Sequence, residues 1–459
     1  MFREFDYDNK PVVDIVNEII EDGISKGASD IHFDPDEKSI NVRMRVDGEL
    51  HDYCKIPDSV KKNIVTRVKI ISGMNITESR LPQDGAIKKL DESGVKMDLR
   101  VSSLPTIHGE KIVIRILDYS LSLSGLETLG LSPENLAKIK KAIASPNGII
   151  LLAGATGSGK STTVYAMLQV LNTPERNIIT VEDPVEMKMQ GLNQVQVMSE
   201  IGLDFNATLR SILRQDPDII MIGEILDDET ARIAVRASIT GHLVLSTIHT
   251  NNSLNTIERL LDMEVERYLL GTSLDCIISQ RLVKKLCPKC RKSRPTTAYE
   301  KNLFKAVTGK DIESIYEPVG CDSCISGYKG RTGVHEVLLL NQEIRDAITN
   351  NLRKEELRKL VYNKKNTCTL LEDGIDKVIA GVTSLDEVLR VISVEDDFGK
   401  EDEDIKQAFI GKTVENSGKE SVQAPQPSRQ VVQPQTVVAP QPAVTPSPIS
   451  QPTQSVDVL

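Results

Sequence analysis

The stretch "GATGSGKSTT", residues 154–163, follows directly on the apolar run "IILLA" of residues 149–153. It satisfies the pattern G-x-x-x-x-G-K-[ST] in full, through Gly154, Ala155, Thr156, Gly157, Ser158, Gly159, Lys160 and Ser161, with Thr162 next in line. Glycines in such a loop let consecutive amides point inward and form an anion nest at a helix N-terminus. Lys160 would then reach the β- and γ-phosphates, and the Ser161 hydroxyl would coordinate Mg²⁺. Val164, Leu168 and Leu171 give the following helix a buried face. A fortuitous Gly-rich turn explains neither the strand before the loop nor the helix after it. The stretch therefore predicts α/β architecture and a nucleoside triphosphate as ligand.

Further β-like runs alternate with helical sequence: "NIITVED", "PDIIMIGE" and "HLVLSTIHT". That alternation predicts a mainly parallel sheet covered by helices. "ITVEDPVE" (179–186) ends in Glu182, Asp183 and Glu186. Ligands of parallel sheets sit at the carboxyl ends of strands, so these carboxylates are expected to face the phosphates, one as general base on water. The bland alternative is an ordinary solvated acidic loop. "PDIIMIGE" (217–224) puts Gly223 where an Asp is common and Glu224 next, to hold the Mg²⁺ shell or polarise water. "TGHLVLSTIHTN" (240–251) has His242 before a β-run and His249 at its end. A lone histidine there is more often a hydrogen-bonding group than a catalytic one, and His249 is the better candidate.

Four of the seven cysteines form two equal pairs, Cys287-x2-Cys290 and Cys321-x2-Cys324, separated by 30 residues. Two such knuckles beside Pro288, Gly320 and Gly327 suit tetrahedral Zn²⁺ held by thiolates, with no position left open for catalysis. A redox pair does not explain two equal spacings. Cys54, Cys276 and Cys368 have no assigned role.

From Pro11 to Ile24 the apolar residues fall on one helical stripe, and "SDIHF" and "SINVRMRVDGELHDY" read as strands with an Asp47-Gly48 hairpin. A helix at 57–73 and strands over 86–116 complete a small α+β domain, residues 1–118. The remaining organisation reads as a linker (119–131), the nucleotide-binding core (132–282), a cysteine subdomain (283–340) and a helical part (341–394). Residues 395–459 pass from an acidic run into a stretch with eight of the 21 prolines, too poor in buriable surface to offset chain entropy, and are expected to be disordered.

The formal charge is −10, and the ten acidic and five basic residues from Glu395 onward account for half of it. No basic footprint for nucleic acid is visible. No run approaches the ~18 apolar residues of a membrane span. The beginning, "MFREFDYDNKPVVDIV", lacks the basic and apolar regions of a secretory signal, so the expectation is a cytosolic, soluble chain.

Taken in order, these residues resemble the traffic ATPases of type II secretion and type IV pilus assembly, hexameric RecA-like motors. The likeness runs from about Pro11 to about Val394. "GASDIHF", "VRMRVDGEL", "RLPQDG" and "LRVSSLPTIHGEKIVIRIL" look like the family's small PAS-like domain. "GATGSGKSTT", "ITVEDPVE", "LRQDPDIIMIGE" and "ASITGHLVLSTIHTN" look like its Walker A, Asp, Walker B and His boxes. "SLDCIISQRLVKKLCPKC" and "GCDSCISGYKGRTGVHEVL" resemble the zinc region of the assembly branch, which the retraction ATPases generally lack. The resemblance implies ATP and Mg²⁺ at Lys160 and Ser161, Glu182 as base, Glu224 as Walker B carboxylate and His249 as γ-phosphate sensor. It also implies Arg100 and Arg115 as arginines that approach ATP on closure, and Zn²⁺ on Cys287, Cys290, Cys321 and Cys324. The implied machine is a homo-hexamer at the cytoplasmic face of the inner membrane, acting on a platform protein and not on nucleic acid.

Three departures stand out. Ala86 replaces the arginine of the family's "QDGR", and Leu226 that of "GEIRD". The extra amino-terminal docking domain of many relatives is expected to be absent, with the Pro/Gln tail a candidate substitute. Three other readings compete: a DNA-uptake pseudopilus motor, a nucleic-acid translocase, and a nucleotide-binding ring subunit that does not hydrolyse. The intact Glu182 and Glu224 oppose the last.

Overall fold

The computed structural model describes residues 2–90, 96–117, 125–363 and 366–392. The expected disordered tail, 395–459, and residues 119–124 of the expected linker lie outside them.

The amino-terminal stripe forms a helix, Val12–Ser25, that buries Ile15, Val16, Ile19 and Ile20. It lies beside a second helix, Asp58–Ile71, against a six-stranded antiparallel sheet. Its strands are β1 (Ala28–Pro35), β2 (Ser39–Val46), β3 (Glu49–Pro57), β4 (Gln83–Leu90), β5 (Lys96–Thr106) and β6 (Gly109–Leu117), ordered β3-β2-β1-β6-β5-β4. The Asp47-Gly48 turn joins Val46 to Glu49 with φ of 51° and 91°, the paired positive values that a two-residue hairpin demands. Phe33, Tyr53 and Ile114 lie in this domain's own core.

A second sheet has seven strands: β7 (Gly148–Ala153), β8 (Ile178–Glu182), β9 (Asn193–Gln196), β10 (Ile219–Ile222), β11 (Leu243–Ile248), β12 (Leu274–Leu286) and β15 (Tyr328–Leu339). The order is β15-β12-β7-β11-β10-β8-β9, parallel throughout except for β15 on β12. Every residue of β7, β8, β10 and β11 is buried, as expected of parallel strands covered on both faces. Alternation divides them: Ile149, Leu151, Val181 and Ile220 join one core, while Ile150, Leu152, Ile178 and Ile219 join the other, under the helix Lys160–Leu171.

The expected boundary at residue 283 falls inside β12. That strand and β15 run on beyond the sheet as a ribbon, against which β13 (Lys292–Pro295), β14 (Ser314–Glu317) and the helices Ala298–Thr308, Leu370–Ile379 and Leu385–Val391 form a further core around Phe304, Leu371 and Val283. The cysteines sit at the ribbon's far end. β15 therefore belongs to the central sheet as well as to the cysteine region.

Candidate functional site

β7 ends at Ala153, and the chain then turns over the carboxyl edge of the sheet. Gly154, Gly157 and Gly159 have φ of 155°, 79° and 89°. Space as well as conformation reserves Gly159 for glycine, because a Cβ there would stand 2.6 Å from Gln280 Nε2. Ala155, Thr156 and Gly157 are exposed, whereas Ser158 Oγ is buried without a hydrogen-bond partner. Lys160 opens the helix, and its Nζ donates to the Gly154 carbonyl at 2.8 Å and the Ala155 carbonyl at 3.2 Å. Burial lowers the Lys160 pKa, the charge of Glu224 opposes that shift, and the charge of Arg281 adds to it. Ser161, exposed on the first helical turn, offers a hydroxyl beside the nest. The loop thus presents amides, an ammonium and hydroxyls to an anion.

Across the edge, Glu224 follows β10 and His249 follows β11. His249 Nε2 and Glu224 Oε2 lie 3.2 Å apart, both side chains partly open to solvent. β10 and β11 are hydrogen-bonded neighbours, so the pairing follows from topology. The Thr247 hydroxyl donates to the Gly223 carbonyl at 2.8 Å and fixes the backbone beside Glu224. His242 lies at the other end of β11, where its Nδ1 meets the Ala237 carbonyl at 2.8 Å. That is a helix-end contact distant from the phosphate loop in the fold.

Glu182 sits differently from the expectation that it faces the phosphates. Its side chain follows those of Ile178 and Thr180 onto the face under the helix Lys160–Leu171, because side chains alternate along β8. It is 3% exposed. It accepts from the Tyr165 hydroxyl, from Thr180 Oγ1 at 2.6 Å and from Gln194 Nε2 at 3.2 Å. Burial, followed by the Glu182 charge, pushes the Tyr165 pKa up, so the phenol stays a donor. Glu186 pairs with Arg100 at 3.3 Å, and Arg100 also donates to the Val185 carbonyl at 2.9 Å. Arg100 and Arg115 are cross-strand neighbours on β5 and β6, but Arg115 pairs with Asp30 at 3.0 Å within the small domain. Ala86 stands opposite Arg100 in register, so the family's arginine there would extend a row of three.

Gln280, on β12, was not picked out by the sequence reading. Its amide is 2% exposed, accepts from Thr163 Oγ1 at 2.8 Å and donates to the Ser158 carbonyl at 2.9 Å. The one available signal is that Ser279-Gln280-Arg281 interrupts the apolar residues of "CIISQRLV".

The four cysteine sulfurs lie within 4.8 Å of one another. Cys287–Cys321, Cys290–Cys324 and Cys321–Cys324 are 4.0, 3.7 and 3.6 Å apart. Zn–S bonds of about 2.3 Å at tetrahedral angles require S···S edges of roughly 3.8 Å. The donor set fits structural zinc, which would tie the two knuckles into one unit.

A phosphate loop on the second-sheet edge, with a carboxylate and a histidine on neighbouring strands, defines a RecA-like phosphate-loop ATPase. The family profile described as Type II/IV secretion system protein matches residues 6–390. The chain belongs to that family. It is 43% identical over 385 residues to the type II secretion system ATPase E of Vibrio cholerae, covering 84% of this chain and 76% of that one. It is 45% identical over 395 residues to the type IV pilus assembly ATPase PilB of Acinetobacter baylyi, covering 84% and 67%. Among solved structures, the Legionella pneumophila ATPase DotB superposes with a TM-score of 0.62 at 23% identity, covering 83% of this chain and 96% of that one. The pilus retraction motor PilT with bound ADP gives 0.57 at 24%, covering 85% and 99%. Those two likenesses concern the fold. Among the described residues, no helix is long and apolar enough to cross a membrane.

Proposed function

We propose that the chain hydrolyses ATP and couples hydrolysis to assembly of a type IV pilus or a secretion pseudopilus. In this reading it works as a homo-hexamer on the cytoplasmic face of the inner membrane, against a platform protein in that membrane. The observation that carries the proposal is the phosphate loop with Lys160 seated in its nest and Glu224 and His249 across the same sheet edge. The kinship with a pilus assembly ATPase and a secretion ATPase supports the choice of filament assembly.

Lys160 and the loop amides would bind the β- and γ-phosphates and hold the γ-phosphorus in line with water. Ser161 and Glu224 are the residues to hold Mg²⁺, which supplies neutralisation of phosphate charge when bound. His249, oriented by Glu224, would donate to the γ-phosphate. Glu182 acts as base only when its carboxylate leaves the Tyr165 hydroxyl, so helix movement and proton abstraction are linked in this chain. Arg100, already bonded to the loop after β8, would bring the small domain's charge towards the nucleotide.

The test is steady-state Mg²⁺-ATP hydrolysis by the purified, zinc-loaded chain. Lys160→Ala is expected to abolish turnover and weaken ADP binding, and Glu224→Gln to abolish turnover while ATP still binds. Full activity in Glu224→Gln would remove Glu224 from the chemistry.

A further inference from the structure

β12 runs parallel beside β7, with Ser279 in register with Ala153. Where β7 gives way to the phosphate loop, β12 continues through Gln280 and Arg281, at the carboxyl edge that receives the phosphates. The Gln280 carbonyl lies close against the loop, and a Cβ on Gly154 would stand 2.8 Å from it. Arg281 donates to that same carbonyl at 3.0 Å. Its other arm donates to the Asn251 side-chain oxygen at 3.0 Å and the Asn251 carbonyl at 3.5 Å. Asn251 lies two residues beyond His249, the partner of Glu224. The half-buried guanidinium therefore spans from the start of the phosphate loop to the loop that carries the histidine.

Both of these acceptors are neutral groups, one against the start of the phosphate loop and one on the histidine loop. The Arg281 charge is felt at the Lys160 ammonium, the group that meets phosphate, and also at the buried Glu336 on β15. Arg100 and Arg115 belong to the small domain and are held at Val185, Glu186 and Asp30. Arg281, by contrast, sits on the same sheet as the loop and needs no domain motion to come near it.

We propose that Arg281 is a further catalytic residue of the ATP site, donating hydrogen bonds to γ-phosphate oxygens as water attacks. The proposal rests on the ATP site described above. In the step itself the water oxygen bonds to the γ-phosphorus, and the bond to the β,γ-bridging oxygen breaks with its electron pair passing to ADP. The proton lost by water is taken by a site carboxylate and released to solvent, leaving ADP and inorganic phosphate. Arg281 stays protonated and meets the charge that builds on the γ-oxygens. The competing role is a brace, in which Arg281 only ties Asn251 and Glu336 to β12.

The two roles separate in the ratio of two affinities. Binding of Mg²⁺-ADP alone and of Mg²⁺-ADP with aluminium fluoride, which fills the γ-position, is measured by calorimetry on the full zinc-loaded chain and on Arg281→Gln, Arg281→Lys and Asn251→Ala. Arg281→Gln is expected to keep ADP affinity within about threefold while affinity for the fluoride complex and kcat each fall by about 10²-fold, the loss usual for one transition-state donor. Arg281→Lys should recover part of both, and Asn251→Ala, which removes a brace and leaves the guanidinium, should keep the fluoride complex. Equal losses for the two ligands, no loss for either, or failure of both Arg281 variants to fold would make Arg281 a brace and overturn the proposal. ADP binding by the parent chain that Lys160→Ala weakens secures the underlying site independently of these outcomes.

Discussion

Single residues decide whether the phosphate loop is ready for its ligand. Gln280 holds the Ser158 carbonyl and the Thr163 hydroxyl with one amide, so Gln280→Leu takes the side-chain donor from the buried Ser158 carbonyl and leaves the Thr163 hydroxyl only its 3.4 Å contact to the Gly159 carbonyl. An unpaired buried group costs about 1–3 kcal/mol. We expect a lower melting midpoint and roughly tenfold weaker Mg²⁺-ADP binding, a tenfold change being about 1.4 kcal/mol. Calorimetry giving unchanged affinity in a folded Gln280→Leu chain would show that the loop holds its shape alone. Glu182→Gln should keep ADP affinity and lower kcat by about 10²-fold or more if this carboxylate is the base. The phosphate loop was legible at this scale because its chemistry is a contiguous string of residue types. Gln280 was not, since its role arises from a parallel pairing between strands more than a hundred residues apart in the chain. Nor was the enclosure of Glu182, which depends on the face its strand turns to the helix Lys160–Leu171.

At the scale of elements, hydrophobic alternation and turn chemistry gave the strands and the Asp47-Gly48 hairpin, because each depends on neighbours in sequence. The reach of β12 and β15 was less visible. Polar residues punctuate both, and the strands are kept extended by pairing with each other. Near their middle, His335 is fully buried on β15, its backbone amide donating to Asp373 at 2.8 Å. Burial, with help from the Lys377 charge, holds its pKa at about 3, down from 6.5. The unfolded chain takes up a proton near pH 6.5 that the folded chain refuses until about 3. This residue therefore makes stability fall as pH drops through that interval. Glu336 and Asp373, whose pKa values burial raises, pull the other way. The clean reading is a comparison: between about pH 7.5 and 5.5 the melting midpoint of His335→Gln should gain on that of the parent chain. A constant gap would mean that His335 titrates normally in the folded state. Zinc removal has a more local expected effect. A chelator should make residues 287–327 susceptible to proteolysis while ADP still binds, because the nest is closed by Gln280 and not by the cysteines.

In the molecule as a whole, the small domain touches the nucleotide-binding core and the β12/β15 ribbon at identifiable points. Arg100 reaches Val185 and Glu186, Lys284 pairs with Glu49 at 2.6 Å, and the Gly330 amide donates to Asp47 at 2.9 Å. Arg100→Ala should speed hydrogen exchange over 183–187 and slow hydrolysis by about 10-fold or more, with ADP affinity nearly unchanged. If exchange there stays the same, Arg100 does not hold the domains together. None of these pairings could be read from the sequence, which places residues 47 and 330 in different regions with no hint of contact. β12 runs extended from Gln280 to Leu286, the residue before Cys287, with a register irregularity against β15 between Lys284 and Leu286. At about 3.3 Å per residue Gln280 and Cys287 are roughly 23 Å apart along this extended segment. A shift at the nucleotide end is therefore carried along the strand as a push, and the irregularity at 284–286 is the one place before the cysteines where it can be absorbed. The spacing is correspondingly intolerant: one inserted residue would turn either the amide or the thiol to the wrong face, uncoupling motor from lever while leaving every motif in the chain intact.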